Sequence, residues 1–283
     1  MTVNKAEQLD TWDAAAGRQR CLEFRRRILD ISQRVTALHI APAFSCLEVV
    51  DCIYYGLMRR YSNGESQDTF LMSKGHGCMA QYVILEKRGV LPREELDRYC
   101  TADGLLGAHP DYGVPGIAAS TGSLGHGMAM AVGMAVAERN RAAQSGSPGR
   151  IYAVVSDGEL QEGSTWEGIL MGSTLKLDNL IVIIDNNDFQ SLGRTSVTHP
   201  TFYPLVDKMV AFGWEVEQVN GHDASAIFHA VNSRKGRMPL CLIAKTVKGR
   251  GVKYMENVPI WHYRSPSPSE YEDALADLEQ VSS

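Results

Sequence analysis

Two rhythms of apolar and polar positions run along this chain. Short apolar runs rich in β-branched residues, at 70–72, 151–155, 180–184, 214–219 and 240–244, are bounded by turn formers and predict strands. Between them apolar residues recur at helical spacing. This predicts helices over about 14–38, 45–61, 78–87, 92–99, 128–140, 163–175, 200–212 and 223–233, with a last acidic helix ending near Leu278. Ser45 is the expected cap of the second helix and Asn63-Gly64 its break, while Pro92 suits a first helical turn. Strands alternating with helices predict an α/β fold: a doubly wound, mainly parallel sheet with helices on both faces. No repeat, low-complexity tract or linker divides the chain. Residues 1–283 are expected to form one domain, with about 1–13 an N-terminal extension and about 254–283 a C-terminal tail and helix.

The segment 151–189 reads as strand, helix, strand. Two parallel strands joined by a right-handed crossover end on the same edge of their sheet, where open α/β sheets bind ligands. Asp157 and Asn187 follow the two strands and are expected at that edge. One carboxylate, one amide oxygen and nearby carbonyls suit a hard cation such as Mg²⁺, or Ca²⁺ or Mn²⁺ on the same oxygens. Gly158 and the amides opening the next helix suit phosphate. Asp-Gly and Asn-Asn equally make ordinary turns after buried strands, and these positions alone do not separate the two readings.

Composition narrows the partners. A hydrophobic share of 44% with 22% charge is that of a globular protein with a sizeable core, and a net charge of −5 argues against nucleic acid or an acidic membrane as partner. Arg25, Arg26 and Arg27 form the only dense basic cluster and are expected on a solvated helix face. Six scattered cysteines without a Cys-x-x-Cys pair predict reduced, mostly buried thiols and a cytoplasmic protein. The N-terminus lacks a signal-peptide core, and no apolar run reaches the roughly 20 residues of a membrane span.

Four histidines, His39, His76, His109 and His262, fall in loops beside turn formers: LHIAPAF, SKGHG (73–77), GAHP (107–110) and WHYR (261–264). A lone loop histidine is commonly solvated. Four of them with the Asp157/Asn187 pair point to an anion or sugar site, and zinc is disfavoured because none has a close-spaced His or Cys. The glycine-rich loop TGSLGHG (121–127) does not follow a clear strand, which leaves a dinucleotide fingerprint unsupported, and no GxxxxGK[ST] is present.

In this order the segments resemble the transketolase family. SDGELQEGSTWEGILMGSTLKLDNLIVIIDNN is similar to the thiamine-diphosphate motif, which begins Gly-Asp-Gly and closes with Asn. SKGHG, AHP and TGSLGHG are similar to three further transketolase loops. KTVKGRGV (245–252) and Trp261-His262 are similar to the tail of the amino-terminal subunit of split transketolases. The resemblance covers nearly the whole chain. It implies the thiamine-diphosphate-binding fold, with thiamine diphosphate and Mg²⁺ as cofactors. Asp157, Asn187 and the backbone carbonyl of Phe189 would bind the metal, and Gly158 and His76 would contact the diphosphate. The backbone of Gly122 and Leu124 would meet the aminopyrimidine, and Glu162 would lie at the subunit contact in a carboxylate network. With His76, the residues His39, His109 and His262 would line the channel shared by donor and acceptor sugars and assist proton transfers.

The implied reaction moves a two-carbon ketol unit from a ketose to an aldehyde or other acceptor, forming a carbon–carbon bond. Since no second α/β domain follows before Ser283, a separate pyrimidine-binding subunit is expected to supply the activating glutamate and phosphate-binding arginines. An α2β2 heterotetramer, active only when assembled, is the expected state. A thiamine-dependent carboligase that decarboxylates a 2-oxoacid is the alternative, disfavoured by the SKGHG and AHP loops. A non-catalytic scaffold paralogue is another, disfavoured by the intact Asp157/Asn187 pair. Departures from the family pattern imply a specialised donor or acceptor rather than central pentose metabolism. His39 stands in LHIAPAF instead of Gly-His-Pro-Gly, which predicts a bulkier, less polar channel mouth. Ser156 and Asp188 replace glycines, with Asp188 expected to add charge near the metal. His126 replaces Gln, and Tyr263-Arg264 replaces Gly-Lys.

Overall fold

In the computed structural model, which describes residues 13–60 and 65–282, the predicted strands pair in parallel into one five-stranded sheet. The strands are β1 (Thr69–Met72), β2 (Ile151–Ser156), β3 (Leu180–Asn186), β6 (Glu215–Asn220) and β7 (Leu240–Lys245), while β4 (Phe189–Gln190) and β5 (Gly193–Arg194) form a separate antiparallel ribbon. The α-helices are α1 (Ala14–Ser32), α2 (Ile40–Cys52), α3 (Cys78–Lys87), α4 (Arg93–Asp97), α5 (Gly127–Ser145), α6 (Gly163–Thr174), α7 (Thr195–Thr198), α8 (Leu205–Ala211), α9 (Ala224–Asn232) and α10 (Pro268–Ser282).

A sheet covered on both faces needs apolar residues at successive positions, which is why β2, β3 and β7 read as continuous apolar runs. Tyr152, Val154, Ile181, Ile183, Leu240 and Leu242 pack with α1, α2, α3 and α9 on one face. Their neighbours Ala153, Val155, Val182, Ile184, Cys241 and Ile243 pack with α5, α6 and α8 on the other. The doubly wound fold expected from the sequence is therefore the observed one.

Strand order is β1-β2-β3-β7-β6. The chain steps outward through α6 and α8 on one face and returns from β6 to β7 through α9 on the other. After β3 it heads for α8, and after β7 for α10, which packs on the opposite face. Adjacent strands whose continuations diverge in this way mark the edge where α/β sheets bind ligands. Register pairs Ser156 with Asp185 and Asn186 with Lys245, so the loops after β2, β3 and β7 leave the sheet level with one another.

Several boundaries differ from expectation. Helix α1 stops at Ser32 rather than near Leu38, since Gln33, Arg34 and Thr36 have nothing to bury on the core side. Helix α2 begins at Ile40, five residues before the expected cap at Ser45. Pro42 lies in its first turn, where a missing N–H costs nothing, and Ser45 is buried inside the helix with its hydroxyl on Asp185. The helix gives way to a π turn at Ile53–Leu57, short of Tyr61. The segment expected to be helical over 200–212 divides at Pro204 into a 3₁₀ turn (Pro200–Phe202) and α8. Pro92 precedes α4, which ends at Asp97 instead of Tyr99. The Arg25–Arg27 cluster is not a solvated face: Arg25 and Arg27 are 3% and 9% exposed and paired with Glu48 and with Glu86 and Asp97. All six cysteines are unpaired, five of them buried. Residues 1–12 of the expected N-terminal extension and the Asn63-Gly64 break lie outside the described residues.

Candidate functional site

The turns after β2 and β3 meet. Asp157 is fully buried; its Oδ1 accepts from the Gly158 amide at 2.9 Å and its Oδ2 from the Asp188 amide at 2.6 Å. Burial, with Asp185 close by, pushes its carboxyl up to about 8. Asn187 is fixed by its own hydrogen bonds. Its Nδ2 donates to Ser45 Oγ at 2.9 Å and Asp185 Oδ2 at 3.3 Å, and its Oδ1 accepts from the Phe189 amide at 3.0 Å. The Phe189 carbonyl stands 3.2 Å from where a Cβ on Gly158 would be. Oxygens of Asp157, Asn187 and Phe189 thus gather at one turn around a carboxyl that costs energy to ionise without a cation. Among the described residues no group of three or more His, Cys, Asp and Glu side chains is placed to hold a metal alone. These residues therefore fit a hard cation that completes its shell with phosphate and water, the habit of Mg²⁺.

Three loops, two of them rich in glycine, build the floor beside this turn. A Cβ on Gly75 would stand 2.6 Å from the Gly122 Cα, and one on Gly122, at φ +121°, would stand 2.6 Å from the His109 ring. The loops 73–77, 107–110 and 121–127 therefore touch through positions where only hydrogen fits. Gly75→Ala must push a pair of backbone segments apart and is expected to destabilise the chain by about 2–3 kcal/mol in urea denaturation. Gly133→Ala, on an open face of α5 with nothing within 4 Å, is expected to stabilise it by about 0.5–1 kcal/mol. Equal effects from the two would refute the close-packed floor.

The four loop histidines are brought together. His39 lies 5.9, 5.5 and 5.3 Å from the rings of His76, His109 and His262, and His76 lies 5.4 Å from His262. Burial first, then the neighbouring His262 and His109, holds His39 down at about 3. Burial and Lys248 hold His262 at about 4. Burial lowers His109 as well, and burial with Lys74 lowers His76 well below the usual imidazole range. All four are neutral near pH 7, so each offers one donor and one acceptor, a pairing suited to hydroxyl groups. His39 Nδ1 is buried without a partner among the described residues.

Gly122 and Leu124 are partly exposed in the floor loop, and Gly158 opens the turn after Asp157. Glu162 is exposed at the start of α6, its methylene groups against Gly125. The departures have visible consequences. Ser156 Oγ accepts from the Glu159 amide at 3.1 Å. His126 is exposed, its Nδ1 3.1 Å from the Ser123 carbonyl. Tyr263 covers His39 with ring centroids 4.5 Å apart, and Arg264 lies over Trp261 and pairs with Glu270 at 2.7 Å. Asp188 does not leave a free charge beside the metal turn. Its carboxylate accepts from the Ser196 amide and hydroxyl at 2.8 and 2.7 Å, the Thr195 hydroxyl at 2.8 Å and Arg194 at 3.2 Å.

Four charged residues escaped the sequence reading. Lys74 and Asp185 are both fully buried and paired under the metal turn, with Lys74 Nζ also donating to the Pro42 carbonyl at 3.0 Å. Glu159, which burial pushes upward, joins two floor loops by accepting from Ser73 Oγ at 2.6 Å and the Gly125 amide at 3.2 Å; its Oε2 has no partner among the described residues. Lys248 is 2% exposed and reaches the histidine cluster, its Nζ 3.0 Å from His262 Nδ1. Its place after the β7 run was the available signal.

Comparison with known proteins bears on this arrangement. Residues 20–263 match the family described as "Transketolase, thiamine diphosphate binding domain". A Phocaeicola vulgatus protein named as a subunit of apulose-4-phosphate transketolase is 37% identical over 261 residues, covering 90% of this chain and 91% of the relative. A protein of a Clostridium species, named 6-deoxy-6-sulfo-D-fructose transketolase subunit SqwG, is 34% identical over 248 residues, covering 86% and 88%. The solved transketolase of Leishmania mexicana superposes with a TM-score of 0.85 at 27% identity, over 94% of this chain and 42% of that longer one.

Proposed function

The chain belongs to the transketolase family through its thiamine-diphosphate-binding domain, and on that premise we propose that it is the diphosphate-binding subunit of a two-component transketolase. The observation that carries this reading is the oxygen turn of Asp157, Asn187 and Phe189 set beside four neutral, clustered histidines. When bound, thiamine diphosphate supplies the electron sink needed to break and remake a carbon–carbon bond next to a carbonyl. Asp157, Asn187 and the Phe189 carbonyl would hold Mg²⁺. Gly158, His76 and Lys248 would meet the diphosphate, and the backbone of Gly122 and Leu124 the aminopyrimidine. His39, His109 and His262 would orient sugar hydroxyls and pass protons between them, and Nδ1 of His39, which has no partner among the described residues, would serve such a bond.

A separate pyrimidine-binding subunit would supply the activating glutamate, in an α2β2 assembly. Two relatives whose length this chain nearly spans are named subunits, which supports a partner. So does α6, where Leu170 and Met171 are 52% and 45% exposed. Unpaired cysteines support a cytoplasmic setting. Both relatives are named for a sugar carrying phosphate or sulfonate, and Tyr263, whose ring covers His39, would narrow the approach to the histidines. These names support a ketose with an anionic group as the substrate.

Titration calorimetry of thiamine diphosphate into the chain, with and without its partner subunit, tests the proposal. Binding should require Mg²⁺, and the assembled complex should transfer a ketol unit from ketose to aldehyde without releasing carbon dioxide. No binding by the assembled complex would overturn the proposal, and carbon dioxide released from a 2-oxoacid donor would replace ketol transfer with decarboxylation.

A further inference from the structure

We propose that Glu48, a buried residue of α2, and His222 form the positioning pair for Lys248, gripping the loop that carries this lysine on both sides. The inference rests on the reading above that Lys248 faces the diphosphate.

Lys248 needs such a grip. It lies in the loop that follows β7, where its Nζ donates to the Ser191 carbonyl at 3.0 Å and stands 4.9 Å from the Phe189 ring centroid. Its ammonium is almost fully buried, which costs solvation, and the loop around it belongs to no strand or helix, so the backbone itself has to be held for the side chain to stay inward.

Two clamps meet at Glu48. On one side the Val247 amide donates to His222 Nε2 at 2.9 Å, which places the proton of the neutral ring on Nδ1, within 2.9 Å of Glu48 Oε2. On the other side the Arg250 carbonyl accepts from Arg25 Nε at 2.9 Å. The remaining Arg25 nitrogens hold both Glu48 oxygens, Nη1 to Oε1 at 2.7 Å and Nη2 to Oε2 at 3.0 Å. The Gly249 amide donates to the Ala41 carbonyl of α2 at 3.1 Å. Against the cost of burial, Arg25 and His222 hold the Glu48 carboxyl at about 2, so it stays ionised as the common anchor. One carboxylate thereby fixes the backbone just before and just after Lys248 while remaining outside the site.

The test uses the full chain, with labelling of Lys248 by an amine-selective acylating reagent and amide exchange over residues 246–251 as direct readouts. His222→Leu should raise labelling of Lys248 at least tenfold and expose the loop amides. His222→Gln, whose amide can accept from Val247 and donate to Glu48, should stay within twofold of wild type. Affinity for thiamine diphosphate with Mg²⁺ should fall equally in His222→Leu and Lys248→Met, and no further in the double variant. Unchanged labelling and exchange in folded His222→Leu, or a Gln variant no better than Leu, would overturn the proposal. If Lys248→Met keeps full affinity while His222→Leu still frees Lys248, the clamp stands and Lys248 is not a cofactor contact. If His222→Leu does not fold, His222→Asn, too short to span both partners, takes its place with the same expected outcomes.

Discussion

Asp157→Ala is expected to remove Mg²⁺-dependent binding of thiamine diphosphate, weakening it on the order of 100-fold or more in calorimetry. Losing a residue that merely orients a ligand already costs about 10–100-fold, and Asp157 is the only carboxylate among the proposed donors. Stability should move the other way. The folded-state carboxyl sits at about 8, above its ordinary 3.8. A group raised in this way contributes stability that is present below its unfolded value and lost as pH rises through its folded value. The ligand-free chain should therefore weaken from about pH 4 to pH 8 in urea denaturation, and Asp157→Asn should flatten that slope. At pH 8.5 the Asn variant should be more stable than wild type and bind cofactor less well. A variant that loses stability yet keeps metal-dependent affinity would show that Asp157 serves the fold and not the cation.

The donors of that turn were legible because their signal is local. A β-branched apolar run fixes where a strand ends, and β2 and β3 end within two residues of the expected positions, leaving Asp157 and Asn187 at one edge. The histidines were legible as loop residues. That His39 and His262 stand 5.3 Å apart follows only from α2 and the C-terminal tail meeting over the sheet edge. Charged residues were misread most often, because burial of a charge is decided by the residue that arrives from elsewhere. Arg25 looks like any arginine on a helix until Glu48 and the Arg250 carbonyl close around it. Asp188 looks like an added free charge beside a metal until Thr195 and Ser196, from a helix of one turn that propensity does not announce, donate hydrogen bonds to it and Arg194 pairs with it. Ser45 has the residue type of a helix cap and spends its hydroxyl on Asp185 instead.

Lys74→Met is expected to cost about 3–5 kcal/mol in urea denaturation, the largest loss of stability foreseen for a single side chain here. Lys74 and Asp185 are both fully buried, and removing the ammonium leaves a carboxylate without its cation, close to a second buried acid at Asp157. Asp185 would keep its hydrogen bond from Ser45 at 2.8 Å and those from Thr246 and Asn187, which soften the loss without supplying a charge. Lys74→Met with Asp185→Asn should recover more than half of it, since the amide still accepts from Ser45 or Thr246 and neither member of the pair is charged. A loss equal to the sum of the single changes would mean that the pair is not coupled. The recovered variant then separates folding from function. Asp185 holds the Asn187 amide so that its oxygen faces the metal turn. An asparagine at 185 presents no such fixed acceptor, so the double variant should fold well and still bind Mg²⁺ and thiamine diphosphate more weakly than wild type.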